Sequence, residues 1–147
     1  MFIYHLLVCP DVIQIRGCTS STQYSAMNSC EMAFDTDLYA DSTDWATHNE
    51  GVGAWIQLDF QETYEIESLE IRHRSQVPAM RFEEIKLEFS NEQSYDYTLN
   101  DDPMISNKVV FLKLMISAFL RITTTSTYGT LDNGYSDIKI WGCLVGN

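Results

Sequence analysis

The sequence contains few basic residues. It has nine lysines and arginines against 21 aspartates and glutamates, for a formal net charge of -12. Basic residues form no cluster, and none lies between Arg16 and Arg72. Nucleic-acid binders gain affinity by neutralising phosphates, and proteins that dock on anionic lipid by charge use basic segments. The composition therefore argues against nucleic acid or a membrane as the partner.

Motifs of the common enzyme classes are also missing. The chain has no Gly-x-Ser-x-Gly, His-Glu-x-x-His, phosphate-binding loop or dinucleotide fingerprint. The carboxylates at 35–44 resemble a hydrolase pair only superficially. An acid–base pair needs a proton donor of raised pKa in a cleft, which an acidic loop beside water does not supply. We therefore expect a non-catalytic binding protein.

The cysteines show no Cys-x-x-Cys spacing, which argues against a zinc cluster. The four are Cys9, Cys18, Cys30 and Cys143. An even number in a small, acidic, strand-rich domain is typical of two disulfides in an oxidising compartment, and four free thiols are the alternative. Three pairings are possible, and the sequence does not choose among them.

The apolar start, "MFIYHLLVCPDV", lacks the features of a targeting or membrane segment. It has no basic n-region and no small-residue cleavage site, and it is too short to cross a bilayer. We interpret it as the first packed segment of the domain, or as a start whose signal lies outside this chain.

Alternating polarity dominates the chain beyond residue 30. It is clearest in "EIKLEFS", where Ile85, Leu87 and Phe89 alternate with charged residues. The pattern predicts strands at 12–17, 55–60, 68–74, 84–90, 94–99, 108–114, 118–126 and 136–142. Turn sequences such as "NEGVG" and "LDNG" separate them, and "SAMNSCEMAF" (25–34) is the one predicted helical turn. About eight short antiparallel strands predict an all-β sandwich.

The length and composition of the chain fit a single globular domain over residues 1–147. The hydrophobic fraction is 45% and the charged fraction 20%, which is ordinary for a folded chain. A chain of this length buries about two-thirds of its unfolded surface. No internal repeat or low-complexity linker divides it.

A series of short motifs resembles one known superfamily. "TSSTQYS", "MAFDTD", "STDWAT", "GVGAWIQLDF", "RFEEIKLEFSNEQS", "FLRITTTSTYG" and "NGYSDIKIWGC" occur in the order seen in discoidin, or coagulation-factor type C, domains. The likeness runs from about residue 12 to Cys143. It implies a galactose-binding-like jelly-roll sandwich with its ligand site on loops at one end, where binding loops usually sit. It also implies an extracellular or secreted adhesion or carbohydrate-binding module.

The resemblance also implies a disulfide pairing and several structural residues. Such domains often join a cysteine before the first strand to the one after the last, which pairs Cys9 with Cys143 and leaves Cys18 with Cys30. Trp55 and Trp141 resemble packing tryptophans of the sheets, and Arg121 resembles a structural arginine. His73 alternates inward with its apolar neighbours, so we expect a core or strand-end role for it.

The acidic segment "DTDLYADSTDW" (35–45) resembles the stretch where the superfamily often holds a structural calcium ion. Calcium takes six to eight oxygen ligands from carboxylates, hydroxyls and backbone carbonyls. The resemblance implies Asp35, Asp37 and Thr43 as ligands, with Asp137 returning from the last strand. The carbonyls of Met32 and Ser136 complete the predicted set. The alternative is a solvated acidic loop.

A partial resemblance to F-type, fucose-binding lectins points to a ligand site. Their signature is a histidine, then Arg-x-Asp, then a second basic residue, and here His48, Arg74 and Arg81 take those places. Gln76 stands where the signature has its aspartate. Guanidinium and imidazole groups suit sugar hydroxyls, with an aromatic or aliphatic platform from Tyr39, Trp45, Met80 or Tyr128. The alternative is structural, with the arginines tying loops together.

These observations predict a calcium-supported, lectin-like module for fucose- or galactose-type glycans, with cell-surface or matrix glycoproteins as candidate partners. The alternative from the same resemblance is a protein- or membrane-adhesion discoidin domain that binds no sugar. The acidic loops and the mildly apolar "QVPAM" segment argue against the membrane-binding version.

Overall fold

The computed structural model describes residues 9–34, 44–74, 81–102, 104–129 and 131–146. It contains eight strands: β1 (Asp11–Val12), β2 (Ile15–Ser20), β3 (Trp45–Ala46), β4 (Trp55–His73), β5 (Glu84–Phe89), β6 (Ser94–Thr98), β7 (Asn107–Thr124) and β8 (Gly134–Leu144). Short 3-10 helices at Ala26–Asn28 and Cys30–Ala33 lie in the stretch predicted to be helical. Within the described ranges no helix is long and apolar enough to span a bilayer.

The strands form a sandwich of two layers because β4 and β7 each cross from one layer to the other. In the first layer β2, the start of β4, the end of β7, β5 and β6 lie side by side. In the second layer β1 and β3 pair with β8, and β8 pairs with the rest of β4. The other edge of β4 pairs with the start of β7. The pairs are antiparallel, which confirms the predicted all-β sandwich.

Both ends of β4 and of β7 therefore lie at the same end of the sandwich. We call this the loop end; it comprises residues 44–54, 99–102 and 125–129 together with Arg74, Arg81 and the turn at 131–133. The opposite end, where β4 and β7 change layers, is called the far end. A register shift between Asp59 and Tyr64 marks the crossing of β4.

Two pairs of predicted strands are in fact single strands. The segments predicted at 55–60 and 68–74 are joined in β4, and those at 108–114 and 118–126 are joined in β7. In β4 the joining residues 61–65 are polar or mostly exposed at the far end. The backbone stays extended there although neither side is buried, so the hydrophobic alternation breaks while the strand continues.

The core lies between the two layers and consists of the inward residues of the alternating pattern. Those of β4 and β5 are buried as predicted: Ile56, Leu58, Phe60, Leu69, Ile71, Ile85, Leu87 and Phe89. Under the loop end, Trp45, Phe82 and Tyr135 pack their rings with centroids 5.0–6.1 Å apart. Trp45 is fully buried, so its prediction as a sugar platform is wrong.

Both predicted disulfides are present. Cys9 pairs with Cys143 and Cys18 with Cys30, with Cα atoms 5.3 and 6.0 Å apart. The first joins residues 134 positions apart and closes the ends of the domain. In the chain-entropy model such a loop adds about 5 kcal/mol, against about 3 kcal/mol for the short loop.

Gly134 in β8 lies close against the backbone of β3. A Cβ atom there would overlap the carbonyl oxygen of Trp45, whereas a Cβ at Gly17 in β2 would meet nothing within 4 Å. We expect Gly134→Ala to lower the free energy of unfolding by about 3 kcal/mol, because backbone rather than a flexible side chain must move. The matched Gly17→Ala should change it by less than about 0.5 kcal/mol. Denaturant unfolding checks both, and equal midpoints would contradict the close approach.

Candidate functional site

A groove of about 880 Å³ opens at the loop end between two facing loops. Its described lining comprises Asn49, Glu50, Gly51, Val52, Thr127, Gly129, Leu131 and Asp132. The backbone N–H of Asn49 donates to Oδ1 of Asp132 across 2.6 Å and joins the two walls. Asn49 and Asp132 both have positive φ angles, of 51° and 67°, a conformation that asparagine and aspartate adopt more readily than most residues.

The groove is apolar on some sides and polar on others. Val52 and Leu131 are 66% and 48% exposed, so a ligand can contact apolar surface there. Glu50 is held in place because its carboxylate accepts hydrogen bonds from the hydroxyls of Ser21 and Thr22. Such a surface suits a small molecule that has both C–H faces and hydrogen-bonding groups.

Arg74 lies behind one wall of the groove. Its Nη1 donates to the carbonyl oxygen of Asp132 across 2.8 Å, and its Nε lies 3.5 Å from the carboxylate of Asp44. The Arg74 side chain is only 13% exposed. These contacts match the structural alternative for this arginine, because they tie the 132 turn to the segment before β3.

Arg81 makes a separate ion pair. Its Nε and Nη2 lie 2.7 and 2.5 Å from Oδ1 of Asp101. Its carbonyl oxygen accepts the N–H of Tyr128, and the Tyr128 hydroxyl donates to the carbonyl of Leu99 across 2.7 Å. Arg81 therefore ties together three segments of the loop end, and the partly exposed Tyr128 ring lies beside it.

His48 is exposed on the approach to the groove. Its ring centroid lies 5.9 Å from that of Tyr24, and its backbone N–H donates to the hydroxyl of Thr22. Within the described ranges, no hydrogen bond or ion pair joins His48, Arg74 and Arg81 to one another. None of the three is among the described lining residues of the groove. Their joint role as ligand contacts stays a prediction.

Half of the predicted calcium ligands are described. Asp35, Asp37 and Thr43 lie outside the described residues, as do Tyr39, Gln76 and Met80. Met32 lies in the helix Cys30–Ala33, which packs against β8. Ser136 and Asp137 lie near the start of β8, where the Ser136 hydroxyl donates to the carbonyl of His73 and the Asp137 carboxylate is buried.

The described members fit a calcium site in their chemistry. The last carbonyls of a helix have no intrahelical partner, so Met32 lies where a backbone oxygen can be offered. Calcium prefers hard oxygens, and the carboxylate of Asp137 is one. The only cluster of metal-type ligands found in the described part of the chain is Cys18, Cys30 and Glu31, and its sulfurs form a disulfide.

His73 confirms its predicted core position at the end of β4. The ring is fully buried and its Nε2 lies 2.9 Å from the carbonyl oxygen of Asn100, which assigns the proton of the neutral ring to Nε2. Nδ1 has no partner among the described residues. Burial lowers the pKa of His73 below the ordinary 6.5, because protonation would place an unpaired N–H and a charge in the core.

We expect this burial to make the fold sensitive to mild acid. Since the pKa of His73 is lower in the folded than in the unfolded state, the unfolded chain takes up the proton first as the pH falls below 6.5. The free energy of unfolding should then fall by up to about 1.4 kcal/mol per pH unit from this group. Unfolding measured at about pH 7.5, 6.5 and 5.5 gives the slope, because these values span the ordinary pKa of histidine.

His73→Gln should reduce that slope, because it removes the buried imidazole. An identical slope in the wild type and His73→Gln would show that His73 does not titrate with unfolding.

The groove residues were missed by the sequence analysis. Asn49 and Asp132 occur in "NEGVG" and "LDNG", sequences that by themselves predict only turns. They are 83 positions apart and meet only through the fold. In both turns a residue that tolerates positive φ occurs with carboxylates, and this pattern is a sequence signal that could have indicated the groove.

A model of the F5/8 type C domain matches residues 17–139. The chain belongs to the F5/8 type C domain family. This confirms the resemblance drawn from the motif order, and a search of curated protein sequences finds no match to the chain.

Solved structures share the fold of this F5/8 type C domain. A family 32 carbohydrate-binding module of C. perfringens NanJ, in complex with galactose, has a TM-score of 0.73 at 11% identity, covering 85% of this chain and 92% of that one. A fucolectin from the serum of Morone saxatilis (striped bass) has a TM-score of 0.75 at 15% identity, covering 93% and 52%. A Streptococcus pneumoniae fucose-binding module has a TM-score of 0.68 at 17% identity, covering 88% and 96%. At these identities the likeness shows the fold alone.

Proposed function

We propose that this domain is a non-catalytic, lectin-like module that binds fucose- or galactose-type glycans at its loop end. The observation that carries the proposal is the groove between residues 49–52 and residues 127–129 and 131–132. Support comes from the fold, which is similar to that of a module in complex with galactose and to that of a fucolectin. The two disulfides are compatible with an extracellular or secreted location.

The chemistry of the groove suits a sugar ring. A pyranose has an apolar C–H face and a rim of hydroxyl groups, so it needs both kinds of contact. Val52 and Leu131 provide the apolar surface, while the carboxylates of Glu50 and Asp132 accept hydrogen bonds from hydroxyls. Because Glu50 and Asp132 are already held by neighbouring groups, little ordering is needed on binding.

Arg74 and His48 have different roles in this proposal. Arg74 is a positioning residue, since its guanidinium holds the carbonyl of Asp132 and with it one wall of the groove. His48 precedes Asn49 in the other wall, and its exposed imidazole can contact a sugar that extends out of the groove. Arg81 contributes as a second tie, through Asp101.

A structural calcium ion is part of the proposal. Asp35, Asp37, Thr43 and Asp137, with the carbonyls of Met32 and Ser136, would hold it. The ion would neutralise an acidic segment that has no nearby lysine or arginine in the sequence. It would also hold the segment before β3 next to β8, close to the Asp44–Arg74 pair.

We expect Leu131→Ser to weaken binding of the preferred monosaccharide about fivefold, since about 1 kcal/mol of apolar contact is lost. The side chain is exposed, so the melting temperature should not change. Calorimetric titration with fucose and galactose checks the effect. Leu112→Ser is the matched control, because Leu112 is also exposed, at 97%, but lies in the part of β7 near the far end.

The same titration includes Arg74→Ala and Arg81→Ala. Arg74→Ala should weaken binding and lower the melting temperature, because the wall loses its tie. Equal affinities for Leu131→Ser and the wild type would place the sugar outside the groove. No binding of any glycan by the wild type would support the protein-adhesion alternative.

We expect calcium to raise the melting temperature, because a ligand that binds only the folded state stabilises it. At about 100 times its dissociation constant the gain is about 2.7 kcal/mol. Asp137→Asn should remove the difference between melting with calcium and melting with chelator. Asp96→Asn, at an exposed position of β6, should retain it. A wild-type melting curve that chelator leaves unmoved would mean that the acidic segment is only solvated.

A further inference from the structure

The outer face of the first layer carries a continuous row of polar side chains. The strand register places one member on each strand, and neighbours in the row are Cα partners: Thr19, Gln57, Arg121, Glu88 and Ser94 on β2, β4, β7, β5 and β6. All five are at least partly exposed. Because neighbouring strands lie about 4.8 Å apart, the row is about 19 Å long. A ligand that follows it must be extended and cross the strands.

Arg121 is the centre of the row and is held in place before any ligand binds. Its guanidinium carbon lies 4.0 Å from the centroid of the Trp55 ring, and its Nε donates to Oε1 of Gln57 across 3.0 Å. Gln57 is fixed in turn by donating to Asp59 across 2.9 Å. Within the described part of the chain no hydrogen bond or ion pair engages the terminal nitrogens of Arg121, so these donors remain available.

Trp55, which the resemblance predicts as a packing residue, does not lie in the core but stacks with Arg121. The alternation of β4 buries Ile56 and places Trp55 on the outer face, where it is partly exposed. The aromatic ring and the guanidinium stack, an arrangement that fixes the orientation of both. The ring and the guanidinium are therefore held in fixed positions on a sheet, where side-chain positions are better defined than on loops.

A shallow groove of about 330 Å³ lies beside Arg121 on the same face. Phe119, which is partly exposed, contributes apolar surface, and Glu88 contributes a carboxylate. Glu88 accepts a hydrogen bond from the hydroxyl of Thr123 across 3.2 Å and lies 3.6 Å from Nζ of Lys86. Oriented donors, oriented acceptors and an apolar surface therefore occur side by side.

We propose that this row is a second binding site, for an uncharged, extended oligosaccharide that lies across the strands. Hydroxyl groups both donate and accept, so they match the adjacent guanidinium and carboxylate. On this face the carboxylates of Asp59, Glu84, Glu88 and Asp96 outnumber the cations of Arg121 and Lys86, so an acidic chain is repelled. The guanidinium of Arg121 at the centre of the row disfavours a cationic chain there. The site goes beyond the loop-end function and shares no residue with the loop-end groove.

The experiment is a titration followed by backbone amide chemical shifts of the whole domain. The probes are neutral cello-, xylo-, manno- and galacto-oligosaccharides, each as the monosaccharide and as the hexamer. For at least one series we expect the hexamer to shift the amides of Gln57, Glu88 and Arg121. It should bind there about tenfold more tightly than its monosaccharide, because a longer chain contacts more of the row.

Three variants locate the ligand on the face. Ser94→Trp places a bulky ring at one end of the row, on an exposed edge strand, and should weaken hexamer binding about tenfold. Thr98→Trp is the matched control, because it lies on the same face of β6 about 13 Å away, and should have no effect. Arg121→Lys keeps the charge but loses the planar pair of donors, so it should weaken binding without changing the charge of the face.

Leu131→Ser separates this site from the loop end, since it should leave the shifts at Gln57, Glu88 and Arg121 unchanged. The proposal is overturned if no neutral hexamer shifts these three amides. It is also overturned if Thr98→Trp weakens binding as much as Ser94→Trp. Glucosamine and uronate hexamers are the charged controls, and shifts produced only by these would equally exclude an uncharged ligand.

Discussion

The pairing of β4 with β7 runs through both layers of the sandwich, and the loop end depends on it. Since both strands change layers at the far end, the starts and ends of both meet at the opposite end. The buried Asn107 reinforces this meeting point. Its amide donates to the carbonyl of Ile71 and its Oδ1 accepts the N–H of Asn100, whose carbonyl lies beside the ring of His73. The loops that form the groove are therefore attached to rigid strand ends.

The shortage of basic residues explains how the loop end is held together. In an acidic chain each arginine has many carboxylates available, and a partly buried guanidinium forms stronger pairs than an exposed one. Arg74 and Arg81 are both largely buried and both contact carboxylates. Each therefore joins segments that are distant in sequence. Arg74, which resembles a sugar reader in the sequence, also supports one wall of the groove through the carbonyl of Asp132.

The two proposed binding surfaces differ in their physical character. The loop-end groove is made of turns whose walls meet through one hydrogen bond between Asn49 and Asp132. The row on the first layer is made of side chains on paired strands, where the backbone positions are set by the sheet. Loops adapt to a compact ligand, whereas a flat sheet suits an extended one. Their separation on the molecule allows each to be tested without the other.

Much of the fold followed from local patterns in the sequence. Alternation identified the inward residues of β5, such as Ile85 and Leu87, because side chains on a strand point to opposite faces with a period of two residues. It also predicted the buried position of His73. The motif order indicated the family, and through it the pairing of Cys9 with Cys143. Local patterns did not show that β4 and β7 are continuous, since the crossing residues are extended without being buried.

The sequence by itself determined the strands, the inward faces, the acidic balance and the family, because each of these depends on residue types at short range. The tertiary structure alone decided which distant residues meet. It buried Trp45 against Phe82 and Tyr135, and it turned Trp55 outward beneath Arg121. It also brought Asn49 to Asp132, 83 positions away, to form the groove. Such contacts depend on how β4 and β7 cross between the layers, which no short stretch of sequence encodes.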